Sequence, residues 1–174
     1  MHRSFGICCL LSLLFAAQAL GASVHIKSGP TITTSPKALQ LEACLAGLGN
    51  QDIQVTITVK GNASVNCLNP SGFLVPGKNK VPITATATTT ISRNEIKNGN
   101  VCFSVTAKAP DTVDPLLAGC PNANWTAQVV SVDFTEVTLV VVQGGQVVLN
   151  QTYTVKPSAD AATSVVKRAI VLKK

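Results

Sequence analysis

Asp52–Lys60 reads D-I-Q-V-T-I-T-V-K. Ile53, Val55, Ile57 and Val59 fall on one side, and Gln54, Thr56 and Thr58 on the other. A period of two sustained over this length is a half-buried β-strand. The same theme recurs outward in both directions. Gly61-Asn62 and then Ala63–Cys67 read as a tight hairpin with glycine at a positive φ. Asn69-Pro70-Ser71-Gly72 is a turn, and Val75-Pro76-Gly77-Lys78 fits a type II turn with proline and glycine at its centre. Lys80–Ile91 is a Thr/Ala/Val-rich strand. Asn98-Gly99 marks another tight turn, after which Val101, Phe103 and Val105 alternate with Cys102, Ser104 and Thr106. Trp125–Phe134, Glu136–Gln143 and Gln146–Val155 are further strands, the last two joined at Gly144-Gly145 within V-V-V-Q-G-G-Q-V-V-L. Leu39–Leu45 completes the set, and Ala109–Asn124, with three prolines, is the longest loop.

Seven to eight short strands with frequent turns and no helix between them predict an all-β domain. The expected architecture is an antiparallel β-sandwich, immunoglobulin-like in the broad sense, with a small β-barrel as the alternative. The Cys-Trp-Cys order of true immunoglobulin domains is absent, because Trp125 follows all four cysteines outside the leader described next.

Met1–Ala22 sets a compartment. His2-Arg3 precedes an apolar run from Phe5 to Ala17 and then small residues through Ala22. This is the layout of a secretory signal peptide, with cleavage expected after Ala19, Gly21 or Ala22. The run is too short for a stable membrane span, and Cys8 and Cys9 leave with it. The expected organisation is a leader over 1–22, a β-sandwich over 23–156 and a basic tail over 157–174. The secreted chain, about 150 residues, is long enough for one well-filled core.

Cys44, Cys67, Cys102 and Cys120 remain. An even number in an exported chain reads as two disulfides. Four cysteines allow three pairings, and spacing does not choose among them; Cys67–Cys120 with Cys44–Cys102 is the pairing carried forward. No CxxC pair points to a metal instead.

The formal net charge of +6 is unevenly spread. Lys156, Lys167, Arg168, Lys173 and Lys174 face a single acid, Asp160, in the last stretch. The body from Ala22 to Val155 sets eight basic residues against seven acids, so it has no basic face and gives no reason to expect nucleic acid. In the tail, Ala162, Val165, Val166, Ala169 and Ile170 recur at helical spacing, and Ser158 stands where a helix cap would. That tail is read as either a solvated terminus or an amphipathic helix whose Lys167, Arg168, Lys173 and Lys174 meet acidic lipid or another polyanion. Lys167-Arg168 is also a dibasic processing signal.

Reactive chemistry is thinly supplied. His25 is the one histidine outside the leader, near the new N-terminus, which argues against Ser-His-Asp or Cys-His catalysis. Glu42, Asp52, Glu95, Asp111, Asp114, Asp133 and Glu136 are scattered, and none sits among the aromatics of a sugar cleft. No catalytic residue, metal or cofactor is expected. Calcium at Asp111 and Asp114 ranks below two solvated turn residues. Of Phe73, Phe103, Phe134, Trp125 and Tyr153, only Phe73 reads as free to face a ligand. Asn62-Ala63-Ser64, Asn124-Trp125-Thr126 and Asn150-Gln151-Thr152 are N-glycosylation sequons.

Three segments carry a resemblance: V-N-C-L-N-P-S-G at Val65–Gly72, N-E-I-K-N-G-N-V at Asn94–Val101 and G-C-P-N-A-N-W-T at Gly119–Thr126. They resemble parts of a family of small exported β-rich proteins of bacteria and fungi. The resemblance covers roughly Cys44 to Val155. It implies a secreted β-rich domain and a Cys67–Cys120 pair, and it brings no activity or site residues. Cys102 stands where that style of segment has threonine or serine.

The resulting expectation is a secreted, non-catalytic structural or interaction module whose partner is an extracellular protein or a surface glycan. The alternatives are an effector or defence-type protein acting through its basic tail at a membrane surface, and a lectin-like sugar binder using Phe73.

Overall fold

The structure, a computed structural model, describes residues 23–156; the leader and the basic tail, with Lys167, Arg168, Lys173 and Lys174, lie outside the described residues. These fold into nine antiparallel strands and no helix. In chain order they are β1 (His25–Ser35), β2 (Ala38–Ala46), β3 (Ile53–Leu68), β4 (Leu74–Pro76), β5 (Val81–Ile91), β6 (Val101–Lys108), β7 (Thr112–Val113), β8 (Thr126–Gln143) and β9 (Gln146–Thr154). One sheet has the order β1-β2-β6. The other centres on β3 and β8, with β5 and β4 along the far side of β3 and β9 and β7 along the far side of β8.

β3 shows why the pattern dictates the fold. Ile53, Val55, Ile57, Val59, Gly61, Ala63, Val65 and Cys67 are all buried, an unbroken alternation over 16 residues. The expected hairpin at Gly61-Asn62 is therefore not there. The strand runs straight through, and Gly61 lies outside the positive-φ region. Glycine is needed for space: a Cβ at Gly61 would stand 2.6 Å from the Asp133 carbonyl oxygen and 3.0 Å from Phe134 Cα.

The crowding comes from β8. Lys60 pairs with Glu136 and Gly61 with Phe134, so Thr135 is an extra residue; Val130 is another, between the pairs Ser64–Ser131 and Val65–Val129. Each bulge shifts the phase by one, which keeps Ala127, Val129, Val132, Phe134, Val137, Leu139 and Val141 all inward. β8 is thus one 18-residue strand and not two strands meeting at Thr135.

The type II turn at Pro76-Gly77 is also corrected. Gly77 has no positive φ; a Cβ there would meet Val65 Cγ2 at 2.4 Å and the Ala118 carbonyl oxygen at 3.0 Å. By contrast Gly144 and Gly145, with φ of 58° and 78°, make the left-handed pair that a two-residue hairpin needs. β1 was not legible at all. Register shifts around Ser28–Thr31 interrupt its alternation, leaving Ile32 as its one fully buried apolar residue.

Between the sheets, Leu39, Leu41 and Leu45 of β2 and Phe103 and Val105 of β6 pack with Val55, Ile57, Val59, Val137, Leu139 and Val141 in one core. Each such side chain contributes about 1.5–3 kcal/mol relative to exposure. The β1–β2 turn ties the layers at one end, where Val132 N–H of β8 donates to Pro36 C=O (2.7 Å). The bonds from Ala109 N–H to Lys37 C=O (2.8 Å) and from Val129 N–H to Asp111 C=O (2.9 Å) extend the β2–β6 and β7–β8 ladders.

Candidate functional site

The outer face of the larger sheet is built on a regular ladder. Thr86, Thr58, Thr138 and Thr152 stand in one row across β5, β3, β8 and β9. Their hydroxyls pair at 3.3 Å (Thr58–Thr86) and 3.0 Å (Thr138–Thr152), and Thr56 and Thr88 pair at 2.9 Å in the next row. Cross-strand pairs of this kind each add a few tenths of a kcal/mol or more. Lys60 bridges Glu136 at 2.8 Å and Lys80 bridges Asp133, so the face is hydroxyl-rich and its charges are matched within it.

The body's seven acids are occupied. Asp111 binds Lys37 at 2.5 Å, and that hydrogen bond and charge hold its carboxyl below the usual carboxylate range. Asp114 Oδ1 accepts from Leu116 N–H (2.7 Å) and Leu117 N–H (3.3 Å). The two candidate calcium ligands thus fasten two different parts of the long loop. Asp52 accepts from Arg93 N–H (2.7 Å), Glu95 from Ser92 N–H (3.0 Å) and Glu42 from Gln40 Nε2 (2.8 Å). His25 is exposed, beside the Ser23 carbonyl.

A depression of about 670 Å³ opens at the end opposite the long loop, where Val24, Leu48 and Gln143 meet the backbones of Gly47, Gly49 and Gly99; no lining residue has a titratable side chain. Ser23, Asn98 and Gln143 are its polar side chains; Gln143 is the buried one, and sequence reading passed over it. The signal was there: a glutamine in the buried phase after Val137, Leu139 and Val141. Its Oε1 accepts from Gly49 N–H (2.8 Å), and its Nε2 donates to Gly49 C=O (3.0 Å) and Gln51 C=O (2.9 Å). The amide is spent on holding the β2–β3 loop, so the depression has volume but little chemistry left to offer.

Comparison with protein-family models, curated proteins and solved structures gives no match. The surface is therefore read from its own geometry.

The aromatics divide as their phases require. Phe103, Phe134 and Tyr153 are buried and Trp125 is half-buried against the core. Phe73 is 63% exposed, at the end of a turn in which Asn69 Oδ1 accepts from Phe73 N–H (2.7 Å). Its neighbour Leu74 is also exposed. Cys44 is joined to Cys102 across β2 and β6, and Cys67 to Cys120, which pins the long loop onto β3. The sequon asparagines Asn62, Asn124 and Asn150 are all exposed.

Tyr153 is 3% exposed, its hydroxyl donates to Gln151 Oε1, and burial pushes its phenol up to about 12. An unfolded tyrosine titrates near about 10. Between those values the unfolded chain gives up its proton first, so stability falls as pH rises through the window and is untouched below it. Tyr153 is the single tyrosine, so tyrosinate absorbance reports it alone. The folded protein is expected to titrate near 12; a midpoint at the unfolded value would contradict the buried placement.

Proposed function

We propose that this chain is an exported, non-catalytic β-sandwich serving as a structural or interaction module outside the cell. The observation that carries the reading is the pair of disulfides, which belong in an oxidising compartment and which close loops of 53 and 58 residues in the body of the fold. The occupied acids and the charge-matched threonine face support it: polar groups here hold strands and turns together. N-glycosylation at the exposed Asn62, Asn124 and Asn150 belongs to the same reading.

The test is to produce the full chain in a eukaryotic secretory host and collect the medium. The expected product begins at Leu20, Ala22 or Ser23 and has no thiol open to alkylation before reduction. Retention inside the cell with free thiols would overturn export. A hydrolytic activity that vanishes in Asp133→Asn or Glu136→Gln would overturn the non-catalytic part.

A further inference from the structure

Open sheet edges expose unpaired backbone groups that can recruit another strand, and natural proteins blunt them with charge, proline, bulges or short length. Among the described residues each edge but one has such protection. β1 has Lys27, Pro30 and two register shifts. β4 is three residues long and ends in Pro76, and β7 is two residues long between Asp111 and Asp114. β5 carries Pro82, and β6, the other edge of the smaller sheet, ends in Lys108 and lies against β5.

β9 is different. Q-V-V-L-N-Q-T-Y-T has no charge and no proline, and its pairing is with β8 alone. Val147 is 61% exposed. One bulge, at Val148, interrupts the ladder and leaves Leu149–Thr154 as a regular, uncharged run. Asn150 lies inside that run, exposed, with its sequon partner Thr152 exposed on the same face.

We propose that Asn150 carries an N-linked oligosaccharide that keeps β9 from pairing with β9 of a second copy of this chain. The proposal rests on the export and glycosylation reading above. A second copy is the fitting occupant because antiparallel β9–β9 pairing is self-complementary about a two-fold axis, and an uncharged strand offers itself no repulsion. A hydrated glycan on an edge residue occupies the space the incoming strand needs, and so replaces the missing lysine or proline.

The test uses the full chain secreted from a eukaryotic host. Peptide mapping after enzymatic release of glycans is expected to find Asn150 modified. Sedimentation over a concentration series is expected to show a monomer for the wild type. Asn150→Gln is expected to dimerise about tenfold more tightly or better, with hydrogen-exchange protection rising over Leu149–Thr154. Asn62→Gln loses a glycan from the same sheet and stays monomeric. Asn150→Gln combined with Val147→Lys returns to monomer, because charge restores the guard. If Asn150→Gln is not secreted, trimming the folded wild type to its first sugar makes the same comparison. Unmodified Asn150 would defeat the glycosylation reading. Modified Asn150 with a monomeric variant, or a dimer protected elsewhere or closed by another segment of the chain, would defeat the guard itself.

Discussion

Gly61→Val is expected to lower the unfolding free energy by about 3 kcal/mol, near the upper end for overpacking a tight site. The cause is distance. The first added carbon would stand 2.6 Å from a backbone oxygen of β8 and 3.0 Å from a backbone carbon, and neither can swing away as a side-chain tip could. The two central strands would have to part where they share their longest ladder. Gly145→Ala separates this effect from backbone preference: it has open space around it but a φ of 78°. That change is expected to cost about 1 kcal/mol, the penalty of a left-handed conformation alone. Urea unfolding measures both, with midpoints shifting at an unchanged slope. A Gly61→Val protein as stable as the wild type would show that β8 does not press against β3 at the bulge.

The same residue shows how far the sequence can be read. The alternation from Ile53 to Cys67 passes through Gly61 without losing phase, yet the Gly-Asn pair reads as a hairpin that ends the strand. Gly-Asn is also a turn dipeptide, and in a string nothing tells a close approach from a turn, because the crowding atoms belong to Asp133 and Phe134 far along the chain. Thr135 poses the inverse problem. There the phase does slip, and a bulge and a strand break look alike until the partner's register is known. Gly144-Gly145 could be read because both strands it joins are adjacent in sequence. The candidate site follows the same rule. The sequons are visible as text, but that Asn150 lies on an unguarded edge is a property of the sheet. The threonine row combines four strands drawn from across the chain, so no local window contains it.

The two disulfides are expected to differ in what their loss does, although they close loops of nearly equal length. Chain entropy assigns each about 4 kcal/mol, a large part of the 5–15 kcal/mol that holds a typical domain together. Cys44 and Cys102 sit on directly opposed residues of β2 and β6, half-buried and exposed. Those strands are paired from Ala38 to Leu45 in any case, so Cys44→Ala with Cys102→Ala is expected to cost about that entropy and leave the core intact. Cys67 and Cys120 are both buried. Replacing them also removes core atoms and cuts the covalent tie of the long loop to β3, leaving Ala118 in the core, the Lys37–Asp111 pair and contacts such as Asn79 N–H to Ala118 C=O (3.1 Å) to hold it. That pair is expected to cost about 1–2 kcal/mol more, the added cavity term, and to raise hydrogen exchange through the long loop. Accessibility predicts the order of reduction as well. Thiolate attack needs approach to a sulfur, so mild dithiol is expected to open Cys44–Cys102 while Cys67–Cys120 stays closed. Stepwise reduction with differential alkylation and mass spectrometry reads that order directly. Equal stability losses for the two double variants, or simultaneous opening of both bridges in the folded protein, would mean that Cys120 does not anchor the loop to β3 from inside the core.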